Sequence, residues 1–233
     1  MEPVEAARAF IQRHFPECDA AFLAGSFLRG EATPTSDLDI VVVTDHPDAP
    51  YRASFREQDW PIEAFIHTER SLHRYLAMDV QRRRPSLPFM CEEGVILRNR
   101  DGLADRVKEE AHRLLARGPE PLSEDEIERR RYAVTDLLDD FLGVQHVAEG
   151  IFVACDLATT AADLILGYKR SWTGSGKWIP RALARVDPEL SRSLTSALMV
   201  YCRTGTKEEL LAFVESALAP VGGRLFEGYQ SRG

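Results

Sequence analysis

The sequence predicts an α+β protein, with an α/β-type N-terminal part followed by a C-terminal helical bundle. Three observations carry this reading. Short apolar runs alternate with amphipathic stretches through the first 117 residues. The segment GPEPLS (118–123) then supplies glycine, two prolines and a serine, which is linker chemistry. Beyond it every long segment has helical periodicity, and none reads as a strand. The expected boundaries are 1–117 for the first domain, 118–122 for a linker and 123–233 for the bundle.

The elements follow in chain order. PVEAARAFIQRHF (3–15) places Val4, Ala7, Phe10 and Ile11 on one face behind an N-terminal proline, which predicts an amphipathic helix ending at Pro16. AAFLAG (20–25) reads as a buried strand that ends in glycine, and Ser26 to Gly30 as one or two helical turns. ATPTS (32–36) is a loop, and DLDIVVV (37–43) a β-branched strand. TDHPDAP (44–50) is a turn, and PIEAFIHT (61–68) another strand. Thr68 is placed to cap a helix over ERSLHRYLAMDVQRRR. GVILRN (94–99) is a short strand, after which Asp101 starts a helix over LADRVKEEAHRLLARG. Ser123 with Glu126 fits a capping box, and four or five helices follow.

Composition narrows the function classes. The chain has 233 residues, 44% of them hydrophobic, and a formal net charge of -8. That balance argues against a protein living on a nucleic-acid backbone, although a local basic groove stays open. Cys18, Cys91, Cys155 and Cys202 form no CxxC pair, so reduced thiols in a cytoplasmic protein are expected. The N-terminus MEPVEAARAF lacks the n- and h-regions of a signal peptide. No run approaches 18 uninterrupted apolar residues, so no membrane span is expected.

The chemistry concentrates in AGSFLRGEATPTSDLDIVVV (24–43). In a strand, residues i and i+2 share a face, so Asp37 and Asp39 project together. Two like charges this close repel unless a cation compensates, and magnesium suits a few carboxylates plus phosphate oxygens. A bare DxD is more often a solvated strand start. Gly25-Ser26 changes the balance, because a glycine admits close backbone approach and a serine at a turn offers N–H and hydroxyl donors to phosphate.

The pattern Gly25-Ser26-x-x-x-Gly30, then Ser36-Asp37-x-Asp39, resembles the signature of the DNA polymerase beta-like nucleotidyltransferase superfamily. The resemblance implies a mixed-sheet catalytic domain over 1–117 that transfers a nucleoside monophosphate from ATP or another nucleoside triphosphate to a hydroxyl and releases pyrophosphate. It implies Mg2+, with two ions, held by Asp37, Asp39 and a third carboxylate on a neighbouring strand. Glu63 is the only acid within 61–68, on the face of Phe65 and His67, and would bind metal, act as base, or both. Asp45 and Asp59 are weaker alternatives in loops. Gly25, Ser26, Arg29 and Ser36 are expected at the triphosphate, with solvent exposure or a local turn as the plain reading of Arg29 and Ser36.

Two further stretches have both plain and functional readings. QRRRP (81–85) is a solvated helix end or a wall for triphosphate. RSWTGSGKWIPR (170–181) is an interhelical loop anchored by Trp172 and Trp178, from which Lys177 would reach a phosphate; it is not a Walker A motif. The two-part layout is similar to that of aminoglycoside- and lincosamide-modifying nucleotidyltransferases, some of which take their base from the C-terminal domain. Asp136, Asp139, Asp140, Asp156 and Asp163 are available here, with no motif to choose among them. The partners implied are a triphosphate and a small-molecule hydroxyl acceptor. The alternatives are a protein acceptor, as for antitoxin-type relatives, or a non-catalytic nucleotide-binding module.

Overall fold

The run LDIVVV forms the centre of a five-stranded sheet because its leucine, isoleucine and valines are buried on both faces, with Asp39 the one half-buried polar residue among them. The computed structural model describes residues 2–33, 35–57 and 59–230, and the chain divides into two compact units, Met1–Gly118 and Pro119–Gly233.

In the first unit the order is α1 (Pro3–His14), β1 (Ala20–Ala24), a 3-10 turn (Ser26–Arg29), β2 (Leu38–Val43), β3 (Tyr51–Glu57), β4 (Trp60–His67), α2 (Glu69–Gln81), α3 (Ser86–Glu93), β5 (Val95–Asn99) and α4 (Leu103–Arg117). The strands lie in the order β3-β4-β2-β1-β5. Strands β2 and β4 run parallel and the other neighbours antiparallel, so the sheet is mixed. One face, with Leu23, Leu38, Ile40, Val42, Ile62 and Ala64, packs on Phe10 and Ile11 of α1. The other, with Phe22, Val41 and Val43, packs on Leu72 and Leu76 of α2, Cys91 of α3 and Val107 of α4.

The structure corrects several expectations. Strand β3 falls where no strand is expected; its burial alternates because every second residue (Arg52, Ser54, Arg56) is polar on an edge strand. Helix α3 was also unexpected, starting after Pro85 and carrying Pro88 in its first turn, where a missing N–H costs nothing. Helix α2 stops at Gln81 rather than running through the arginines. Arg83 takes a left-handed φ of 61° and is buried, so the QRRRP stretch is not a wholly solvated end. Asp79 fixes that corner, pairing with Arg82 and accepting from the Leu87 N–H at 2.8 Å. Asp101 does not start α4: its φ is 52°, and Asn99 Oδ1 accepts from the Ala104 N–H at 2.9 Å instead. Strand β4 is interior to the sheet, so Glu63 is not on an edge strand.

The described residues of the second unit form helices joined by loops, with no strand among them: α5 (Glu124–Gly143), α6 (Val147–Tyr168), α7 (Trp178–Val186), α8 (Pro188–Thr204) and α9 (Glu208–Leu218). Helix α6 is long and apolar enough to cross a bilayer by length and composition, which counting uninterrupted apolar runs overlooks. Its Ala154, Leu157, Ala161, Leu164 and Ile165 are instead the centre of this unit's core, with Leu138 and Phe141 of α5, Leu194 and Tyr201 of α8, and Leu210 and Val214 of α9. Within α7 and its preceding loop, Gly174 lies against Trp178, whose ring carries the Arg181 guanidinium at 4.9 Å. The mixed sheet and the helices that follow it in sequence make the architecture α+β.

The Ser123–Glu126 capping box is present in full: Glu126 N–H donates to Ser123 Oγ at 3.2 Å, and Ser123 N–H to Glu126 Oε2 at 2.9 Å. Ser123→Ala is expected to lower stability by about 1 kcal/mol and Ser123→Asp to leave it near the wild-type value, measured by urea unfolding.

Candidate metal and nucleotide site

Strand register assembles the acids. Asp39 on β2 sits opposite Glu63 on the parallel β4 and opposite Ala24 on the antiparallel β1. Cross-strand neighbours on one face lie only about 5 Å apart. A one-residue slip of β4 would turn Glu63 to the other face, so the buried Ile62, Ala64 and Ile66 that fix its register also fix the carboxylate. Asp37 stands one residue before β2 begins rather than inside the strand. Ligand oxygens of Asp37, Asp39 and Glu63 all lie within 4.8 Å of one another, in half-buried positions.

This crowding has an electrostatic cost. Burial, followed by the neighbouring Asp37 and Glu63 charges, pushes Asp39 up to about 6, against the opposing pull of Arg52 and Arg29. Arg52 on β3 pairs directly with Glu63 and lies over the Phe65 ring at 5.1 Å. Sequence reasoning missed Arg52; its signal was the polar–apolar alternation of YRASFRE, which places Arg52 on the face of Ser54, the residue opposite Glu63.

Gly25 is required where it stands. Its φ is 106°, and a Cβ there would sit 2.8 Å from Asp39 Oδ2. The Ser26–Arg29 segment is a single 3-10 turn, so it offers the donors of a turn rather than the field of a full helix. Ser26 Oγ donates to Ser36 Oγ at 3.1 Å, and Ser36 Oγ accepts from Thr33 N–H at 2.8 Å. The two serines predicted at phosphate therefore meet across the loop. Arg29 donates to Glu93 Oε2 of α3 at 3.1 Å and to Glu31 Oε2 at 3.3 Å, an arrangement that ties the turn to α3. Asp45 and Asp59 lie outside the acidic group. Lys177 belongs to the second unit, exposed at the residue before α7. His67 is buried against Tyr75, where burial holds its pKa down.

The three carboxylates fit a divalent cation by their own chemistry. They are hard oxygen donors converging on one point, with like charges that Arg52 and Arg29 partly offset at Asp39, and a glycine clears the space beside one of them.

The raised Asp39 pKa has a defined consequence for stability. The unfolded carboxyl titrates near 3.8 and the folded one near 6. Between these values the folded chain keeps a proton the unfolded chain has released, so this group makes stability fall as pH rises across the window. In metal-free protein, Asp39→Asn is expected to abolish that dependence and to raise stability at neutral pH by on the order of 1–2 kcal/mol, read from thermal unfolding across the window.

The family model described as "Nucleotidyltransferase domain" matches residues 4–87. No curated protein sequence matches the chain. Among solved structures the chain is similar to a nucleotidyltransferase-like protein from Exiguobacterium sibiricum 255-15, at 14% identity and a TM-score of 0.49, over 94% of this chain and 75% of that one. The residues that match the nucleotidyltransferase domain model, 4–87, hold the Gly25-Ser26 turn and all three converged acids, and they include the signature that resembles the DNA polymerase beta-like superfamily.

Proposed function

We propose that this chain is a magnesium-dependent nucleotidyltransferase that moves a nucleoside monophosphate from ATP or another triphosphate to a hydroxyl of a small molecule. The observation that carries the reading is the convergence of Asp37, Asp39 and Glu63 beside the Gly25-Ser26 turn. Asp37, Asp39 and Glu63 would hold one or two magnesium ions. Bound there, the metal neutralises charge on the triphosphate and favours the ionised form of the attacking hydroxyl.

The chain's own residues do the rest. Gly25 keeps the Asp39 carboxylate clear of the backbone, so that carboxylate faces the ligand side. The Ser26 and Ser36 hydroxyls, already in contact with each other, turn toward phosphate oxygens once these are present. Arg52, paired with Glu63, balances part of the site's negative charge. Catalysis of this kind rests on positioning and charge neutralisation. The net charge of -8 favours a cationic acceptor, and an aminoglycoside- or lincosamide-like antibiotic is the class we propose first.

Incubation with α-labelled triphosphates, Mg2+ and a panel of aminoglycosides and lincosamides tests the reading. A labelled product that disappears in Asp37→Ala/Asp39→Ala is expected; absence of any magnesium-dependent triphosphate binding would contradict it. Labelling of a protein instead of a small molecule would replace the acceptor class and leave the reaction standing. Gly25→Ala is expected to weaken magnesium–nucleotide binding by roughly tenfold or more, because strain at positive φ and overlap with Asp39 each cost about 1–3 kcal/mol; calorimetric titration measures it.

A further inference from the structure

Of the three converged acids, Glu63 is the one whose side chain is long enough to swing away. A glutamate has one more rotatable bond than an aspartate and gives up more freedom when it is held in place. Asp37 and Asp39 push it outward, because they carry the same charge with oxygens within 4.8 Å. The register of β4 on β2 fixes where Glu63 leaves the sheet, but not where its carboxylate ends. The counterweight comes from the other side of β4.

That side is the edge strand β3. Ser54 stands directly opposite Glu63, yet the ion-pair partner of Glu63 is Arg52, two residues along β3 on the same face. A long side chain spans such a diagonal between antiparallel strands. Arg52 is itself held at a second point. Phe65 is its direct cross-strand neighbour, and the guanidinium lies over that ring at 5.1 Å. Phe65, Arg52 and Glu63 therefore form a chain of contacts on one face of the sheet. The ring steadies the planar guanidinium, and the guanidinium steadies the carboxylate.

An arginine beside a cation site has two opposing effects, and their magnitudes decide between them. It competes with the cation for the carboxylate, and it orients the carboxylate for the cation. The Arg52 side chain is 60% exposed, so the pair is weak, and giving it up lowers cation affinity by about fivefold at most. A partner that orients a ligating carboxylate is typically worth about 10- to 100-fold in metal affinity. Orientation is the larger effect. A carboxylate has two acceptor oxygens, so pairing with Arg52 leaves acceptor capacity for a ligand. We propose that Arg52 is a positioning residue: it holds Glu63 in place as the third carboxylate of the cation centre, and Phe65 holds Arg52. The inference rests on the transferase reading for the cation centre itself and extends that site to the edge strand.

Mn2+ binding in the presence of a non-hydrolysable ATP analogue tests it, in the wild type, Arg52→Gln, Glu63→Gln and the double variant. Paramagnetic resonance gives the affinity, and proton relaxation gives the number of waters on the bound ion. Arg52→Gln is expected to weaken Mn2+ binding by about tenfold and to add a bound water where Glu63 has left. In the Glu63→Gln background the same substitution should cause no further loss, which general destabilisation would not imitate. Phe65→Leu should give a smaller loss in the same direction. Arg52→Lys, which keeps the charge without the planar fork, should fall between Arg52→Gln and the wild type. Circular dichroism confirms that each variant is folded. Mn2+ binding by Arg52→Gln equal to or tighter than that of the wild type overturns the proposal, because Arg52 is then only a counter-charge. A loss that persists in the Glu63→Gln background overturns it as well, because Arg52 then acts on the nucleotide directly. In both of these cases the cation centre stands. Absence of Mn2+ binding by the wild type removes the centre, and the proposal falls together with the transferase reading.

Discussion

Three carboxylates whose oxygens lie within 4.8 Å of one another repel, and the first unit is arranged to hold them there against that repulsion. The holding force is not local. It comes from the apolar residues that lock β2 between β1 and β4: Ile40 and Val42 on the α1 side, and Val41 and Val43 on the α2–α4 side. Asp39 is carried on the same strand, two residues from a fully buried valine, and cannot move away from Glu63 without breaking the register. The hydrophobic core thus supplies the stability that the acidic site consumes. Arg52 offsets part of the charge from the edge strand, and the remainder appears as the raised pKa of Asp39.

The same constraint explains the polar loop between β1 and β2. Gly25 must take a conformation that side chains avoid, because the Asp39 carboxylate fills the space where a Cβ would stand. The Ser26–Ser36 contact joins the two ends of that loop, and Arg29 ties its 3-10 turn to Glu93. Each of these residues serves the placement of charge rather than the packing of the core. The cost of this arrangement is electrostatic, and it is visible in the raised pKa of Asp39.

Much of this was legible in the sequence. The periodicity of LDIVVV and PIEAFIHT located the two strands that carry the acids, and the Gly25-Ser26 to Asp37-x-Asp39 spacing carried the family resemblance. Thr68 and Ser123 announced their helices through capping chemistry, which is local. What escaped depended on contacts distant in sequence. Strand β3 has too many charged residues to look like a strand until β4 is beside it, so Arg52 could not be seen as the counter-ion of Glu63. Asp101 looked like a helix cap, but Asn99 took that role because the chain turns through a left-handed residue first. The burial of Arg83 follows from the tight corner fixed by Asp79, which no periodicity reports. Residues in the second unit such as Lys177 carry no motif that ties them to the chemistry.

The central claim is that Asp37, Asp39 and Glu63 form one divalent-cation centre. Paramagnetic resonance of Mn2+, titrated into the wild type and into Glu63→Gln with a non-hydrolysable triphosphate present, tests it most directly. The account predicts nucleotide-dependent Mn2+ binding in the wild type and its marked weakening when the Glu63 charge is removed. Equal Mn2+ binding by the two proteins, or none by the wild type, would contradict it.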